Sequence, residues 1–209
     1  MILKVVDFIL GKQLENGMIS KDDTSVYQYG YTLVLEVMVN IIIAATIGLI
    51  SGELLNVALF LVIFMPLRSY CGGYHASNTW ICIILSNIII AGVVLAINSL
   101  QFVIDYIPFL VTEAICAITI LLLAPIQSDA KKLDNDEKQV YRKKVRFILI
   151  TEILCVLLLF FFLKLDRYGF LIIMAHIVQA ASLLAVHLNK TMKYLIFLRQ
   201  KKSVHSKLS

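Results

Sequence analysis

The sequence predicts an all-α, polytopic integral membrane protein with about six transmembrane helices. Three observations carry that prediction. Of its 209 residues 60% are hydrophobic, with a mean hydropathy of +0.87, more apolar surface than a soluble domain of this length can hide. The apolar residues come in long blocks rather than in the stripes of an amphipathic helix or a half-buried strand. Most of these blocks reach the ~20 residues a helix needs to cross the hydrocarbon core. A single membrane domain, 1–209, fits this pattern better than separate soluble domains.

In chain order, residues 1–17 predict an amphipathic helix. Ile2, Val5, Val6, Ile9 and Leu10 share one side, and Lys4, Asp7, Gly11 and Glu15 the other. Asp7 breaks the apolar run and no small-residue cleavage site follows, so a cleavable signal is not expected. Such a helix can lie in the headgroup plane, in contact with membrane lipid, or pack on the protein's own inner face. Transmembrane helices are then expected at 28–50, 54–67, 79–98, 104–124, 145–163 and 168–188, with a loop at 125–144 and a basic tail at 189–209. The second span is the exception, with roughly 14 apolar-rich residues and Pro66 near its end. It either crosses a thinned bilayer or enters and turns back as a half-helix.

Lysine and arginine set the orientation. With six alternating spans and the N-terminus inside, the exterior turns hold only Lys164 and Arg167, which leaves the other 17 of 19 basic residues on the inner side. Both termini, the loop at 125–144 and Arg68 are therefore expected in the cytoplasm, and the chain in the cell membrane as a multi-pass protein. The net charge of +5 follows from the same bias and implies no nucleic-acid partner. All four cysteines fall in cytoplasm-facing or embedded segments, where structural disulfides are not expected. Cys116 and Cys155 sit mid-span among aliphatics and read as small buried packing residues.

The stretch "RSYCGGYHASNTWIC", Arg68 to Cys82, is unlike the rest of the chain. Seven residues separate His75 from Cys82, about 10 Å along one straight helix and too far for a hydrogen bond. The two can meet only if a helix begins between them. Gly72 and Gly73 permit the turn, and Ser77, Asn78 and Thr79 are good N-cap residues. With the cap at Asn78 or Thr79, Cys82 falls in the first turn or just past it. Unpaired amides at a helix start favour negative charge, which suits a thiolate, and an imidazole beside it can shuttle the proton.

Other readings of the same residues stay open. His75 can be a loop residue and Cys82 a packing residue. Cys71, His75 and Cys82 form C-x3-H-x6-C, which matches no usual zinc spacing and lacks a fourth ligand, so neither a metal nor another cofactor is expected. Arg68 suits either a substrate carboxylate or carbonyl or the phosphate headgroups at a span end. Cys71 is a second thiol beside the site, or a small residue in a tight turn. Glu36, Glu113 and Glu152 lie within spans, where ionisable groups are expensive.

The stretch resembles the accessory gene regulator protein B (AgrB) family, whose motif runs Arg, a few residues, Gly-Gly-x-His, six residues, Cys. Here those positions are Arg68, Gly72, Gly73, His75 and Cys82. "YGYTLVLE" at 29–36 and "LLLAPI" at 121–126 agree in order, so the likeness extends over nearly the whole chain. The resemblance implies a membrane cysteine endopeptidase that matures a quorum-sensing peptide from an AgrD-type precursor. By that analogy Cys82 is the nucleophile and His75 its base and acid; a thioester at Cys82 gives way to a thiolactone or lactone ring. Arg68, Gly72 and Gly73 are supporting residues, and the protein works as a homodimer. Papain-like sites hold the imidazole with a third group, for which Glu36, about two turns into its span, is the candidate. The rival reading is a non-catalytic peptide exporter or scaffold. An exporter predicts a polar path, yet the spans hold few polar residues and no G-x-x-x-x-G-K loop occurs.

Overall fold

A computed structural model describes residues 2–73, 79–99, 106–126 and 134–208; for Ile2, Thr79 and the chain from 193 on, only the backbone is described. The elements are α1 (Ile2–Glu15), α2 (Thr24–Ile50), α3 (Leu54–Cys71), α4 (Thr79–Ser99), α5 (Tyr106–Leu123), α6 (Asn135–Leu157), a π-helical segment (Leu158–Leu163) and α7 (Asp166–Leu208), with no strand among the described residues. Among the described residues, six stretches are long and apolar enough to span a membrane. The all-α polytopic expectation holds.

Three boundaries differ from the sequence reading. α3 is not cut short at residue 67. It continues through Pro66 to Cys71, 18 residues in all or about 27 Å, close to the length a span needs. The loop expected at 125–144 is helical from Asn135 on. A capping box starts α6 there: the Asp134 carboxylate accepts from the first helical amide, and Glu137 reaches back to the Asp134 N–H. Lys138, Arg142, Lys143 and Lys144 thus ride on a helix. The tail expected from 189 is a continuation of α7.

By contacts the chain divides into two units, Met1–Leu54 with Ala76–Gly92, and Leu55–His75 with Val93–Ser209. In the first, Val6 and Leu10 of α1 are buried while Leu3, Val5 and Phe8 stay exposed. Gln13 exchanges hydrogen bonds with the Tyr31 hydroxyl, and Gln28 donates to Asp7. One edge of α1 therefore packs on α2 while other apolar side chains face outward. Farther along, Asn87 of α4 donates to Asn40 of α2 at 3.0 Å.

In the second unit α7 is central. More than half of its apolar window is buried, against less than a third for α3, α5 and α6. Leu67, Cys71, Cys116, Ile120, Val145, Leu149 and Leu183 form the core at one end; Val156, Phe160, Ile172 and Ile173 form a second core farther along. Phe160 lies so close to Gly169 that a Cβ there would enter its ring. At that end Lys164, in a left-handed conformation (φ 55°), caps the π-helical segment before α7 begins.

Candidate functional site

The Arg68–Cys82 stretch begins in the last turn of α3. Gly72 (φ +70°) and Gly73 (φ +148°) both adopt backbone conformations that disfavour any side chain. Gly72 closes the helix with an N–H bond to the Arg68 carbonyl at 3.1 Å. The Cys71 carbonyl accepts from the Ile126 N–H at 2.9 Å, tying the turn to the chain beyond α5. Neither glycine has room for a Cβ. At Gly72 it would strike the Ile126 backbone oxygen, and at Gly73 the Arg68 guanidinium and Ser182 Oγ.

Arg68 folds back over this turn. Its Nη1 donates to the Gly72 carbonyl at 3.1 Å and to Ser182 Oγ at 2.6 Å. Gln179 Nε2 donates to the same carbonyl at 2.9 Å. Beside the turn, Lys144 Nζ reaches the Tyr70 hydroxyl at 3.4 Å and lies 4.6 Å from the centre of its ring. The Tyr141 ring meets Tyr70 edge-on. The basic first turns of α6 therefore stand next to the end of α3.

α4 is described from Thr79 on, with Cys82 near that end and partly exposed; the cap positions Ser77 and Asn78 fall outside the described residues. His75 falls outside the described residues. Cys71, by contrast, is fully buried in the core with Leu67, Cys116 and Leu183. Cys116 is buried as expected, but Cys155 is not: it lies on the exposed face of α6. Position within an apolar span foretold an apolar setting, and not which face the residue takes. Glu36 is buried on α2, with the Asn40 side chain bonded to its backbone carbonyl. Arg68, Gly72 and Gly73 thus come together in the second unit, whereas Glu36 and Cys82 belong to the first.

A second polar group lies within the apolar interior of the second unit. His176 of α7 has no exposed surface. Its Nδ1 is 2.7 Å from Glu113 Oε1 of α5, and its Nε2 is 2.8 Å from Glu152 Oε2 of α6. A neutral imidazole carries one N–H and can satisfy only one carboxylate. Two contacts this short require one further proton shared among the three groups. The carboxylates sit on opposite ring nitrogens, so they do not converge on a common point, and no metal-binding cluster of His, Cys, Asp or Glu occurs among the described residues. The three groups join α5, α6 and α7 where lipid offers no hydrogen bonds.

Sequence reasoning noted Glu113 and Glu152 but passed over His176, Gln179 and Ser182. The available signal was their spacing. Three polar residues at intervals of three lie near one face of an otherwise apolar helix, and polar span residues face the protein interior.

No curated protein and no solved structure matches the chain. The model of the accessory gene regulator B family matches residues 4–183, most of the chain including the whole Arg68–Cys82 stretch. The chain therefore belongs to the accessory gene regulator B family, and with it to the processing of peptide autoinducers in agr quorum sensing.

Proposed function

We propose that this protein is a membrane cysteine endopeptidase acting on an AgrD-type precursor, with Cys82 as nucleophile and His75 as general base and acid. The observation that carries the reading is the contrast between its thiols: Cys82 stands partly exposed near the described start of α4, while Cys71 is sealed in the core. Unpaired amides at a helix start complement a thiolate and the oxyanion that follows it.

The Cys82 sulfur attacks a backbone carbonyl toward the precursor's C-terminal end. A carbon–sulfur bond forms and the carbon–nitrogen bond breaks. The thiol proton passes through the His75 imidazole to the departing amine, releasing the C-terminal fragment. The remaining peptide is held as a thioester. An internal thiol or hydroxyl then displaces Cys82 and closes a thiolactone or lactone ring, returning its own proton through His75 to the sulfur. A thioester is higher in energy than the amide it replaces, so cleavage is drawn forward by removal of the tail or the ring. Thioester exchange is nearly neutral and preserves the activation for ring closure. Water competes, and a site at the membrane boundary limits its access.

The remaining roles follow the same reading. The Gly72–Gly73 turn ends α3, and Arg68 supports that turn from inside the protein rather than from the headgroups. Glu36 is a candidate to orient the imidazole. The basic face of α6, beside Tyr70, docks an acidic precursor tail. The lysine and arginine distribution supports cytoplasmic termini and a cytoplasmic site. The chain works as a homodimer, in keeping with the family, and α1 meets membrane lipid through its exposed apolar side chains.

Co-expression with a candidate precursor tests the assignment. Cys82→Ala and His75→Ala should each abolish cleavage, and Cys71→Ala should retain it. Continued cleavage by Cys82→Ala would overturn the assignment of Cys82 as the nucleophile.

A further inference from the structure

The Glu113–His176–Glu152 group lies wholly within the second unit and takes no role in the proposed thiol chemistry. It forms a polar layer between two apolar cores. Along α6, Glu152 falls between Leu149 of one core and Val156 of the other; along α7, His176 falls between Ala180 and Ile173. The layer is therefore well inside the spans, where lipid supplies neither water nor counter-charge.

The geometry limits how many protons the group can hold. With none beyond that of a neutral imidazole, one of its contacts, at 2.7 and 2.8 Å, would set a ring nitrogen lone pair against a carboxylate. One further proton satisfies both contacts but leaves the group with a net negative charge. Part of that charge would fall on Glu113 Oε2, a buried oxygen with no hydrogen-bond partner among the described residues. A second proton, placed on this oxygen, removes the charge and disturbs neither contact. The imidazolium then donates through Nδ1 to Oε1 of the Glu113 acid and through Nε2 to the Glu152 carboxylate. An unpaired hydroxyl in an apolar interior costs far less than an unpaired charge.

The surroundings do not change this balance. Of the elements packed against α7, α5 adds the Cys116 thiol and α3 the Cys71 thiol, both within the core, and the π-helical segment adds no titratable group. Arg68 of α3 bonds to Ser182, nearly two turns beyond His176 or about 9 Å along the axis. Among the described residues no cation other than His176 bonds to either carboxylate. The group also has one outlet: the Glu152 side chain is 13% exposed, against 5% for Glu113 and none for His176.

We propose that Glu113, His176 and Glu152 form an intramembrane proton-binding site. It stays electrically neutral by holding, beyond the proton of neutral imidazole, as many protons as it has carboxyl groups, and it exchanges them through Glu152. The inference is independent of the cysteine endopeptidase reading.

The test uses the full chain in lipid bilayers at neutral pH, without precursor. Nitrogen-15 NMR of labelled histidine reads the ring, with His176→Gln identifying the signal, and infrared difference spectra between wild type and variants read protonated carboxyl groups. The wild type should show both ring nitrogens of His176 protonated, together with one protonated carboxyl. Glu113→Gln and Glu152→Gln should each lose that carboxyl signal and keep the imidazolium, because the remaining carboxylate balances it. The variant with both substitutions should hold a neutral imidazole. If Glu152→Gln does not fold, the carboxyl signal in Glu113→Gln decides. A wild type without the protonated carboxyl, or an imidazolium that persists when both carboxyls are gone, overturns the neutral site and leaves a fixed structural charge. In D2O the ring N–H groups should exchange more slowly in Glu152→Gln than in Glu113→Gln. Equal rates, or the reverse order, overturn the route through Glu152.

Discussion

The guanidinium of Arg68 bonds to the carbonyl of Gly72, four residues farther along its own chain, at 3.1 Å. A positive charge at the end of a membrane span would ordinarily reach for headgroups. Here it braces a left-handed turn instead. Both bonds leave one nitrogen, Nη1, held in place by the planar guanidinium, and a lysine would bring its ammonium to these acceptors on a shorter stem and at different angles. Arg68→Lys is therefore expected to impair cleavage although it keeps the charge. Equal kcat in the two proteins would assign the residue a purely electrostatic role.

The two turn glycines should fail differently. At Gly72 the obstacle to a Cβ is backbone, the Ile126 oxygen, which cannot move aside. At Gly73 it is the ends of the Arg68 and Ser182 side chains, which can give way. Gly72→Ala should reduce the yield of folded protein, while Gly73→Ala should fold and lose cleavage. Each also bears the strain of a positive φ, about 1–3 kcal/mol. Gly92 has open space around it, so Gly92→Ala should be neutral or slightly stabilising, by up to about 1 kcal/mol. Yield from the membrane fraction and cleavage rate separate the three variants.

The Glu113–His176–Glu152 group predicts an order of stabilities. Replacing His176 by leucine leaves the buried Glu113 and the partly buried Glu152 without their shared partner, and should destabilise most. Glu113→Ala strips one ring nitrogen of its partner, a loss of about 3–5 kcal/mol by analogy with buried ion pairs. Glu113→Gln can still donate to or accept from the imidazole, and should fall within about 1 kcal/mol of the parent. Thermal unfolding in detergent measures the series. A Glu113→Gln variant as unstable as His176→Leu would contradict the shared-proton account.

Thiol reactivity follows from burial. Cys82 is partly exposed and Cys71 fully buried, so a polar maleimide should label Cys82 well before Cys71 in the folded protein. Cys155, on an outward face of a span, should prefer an apolar reagent. Peptide mapping after brief labelling gives the order, and labelling of Cys71 first would remove the ground for choosing between the two motif thiols.

Lys138, Arg142 and Lys143 lie on the early turns of α6. Reversing their charge should raise KM for a precursor with an acidic tail and leave kcat nearly unchanged, the signature of lost ground-state binding. The effect should shrink with added salt. An unchanged KM would remove the docking role of this face.

The spans were readable because the bilayer imposes a length, and because a block such as residues 79–98 has no other stable use. The start of α6 was missed although Asp134 and Glu137 spell a capping box, because the basic run beyond them looked like an exposed loop. The partners of His176 were not legible at all. A polar residue in a span signals that it faces inward, but Glu113, Glu152 and Gly72 are 63, 24 and 107 residues away from the α7 groups they meet. Which of the inward-facing groups meet is decided by helix packing rather than local sequence. Arg68 illustrates the same limit, since its contact with Ser182 joins helices 114 residues apart.

The most direct measurement is mass spectrometry of the protein mixed briefly with precursor and quenched in acid. The account predicts an adduct with the mass of the precursor's N-terminal fragment, carried as a thioester on the peptide that contains Cys82 and absent from Cys82→Ala, which should leave the precursor intact. An adduct on Cys71, or a precursor still cut by Cys82→Ala, would contradict it.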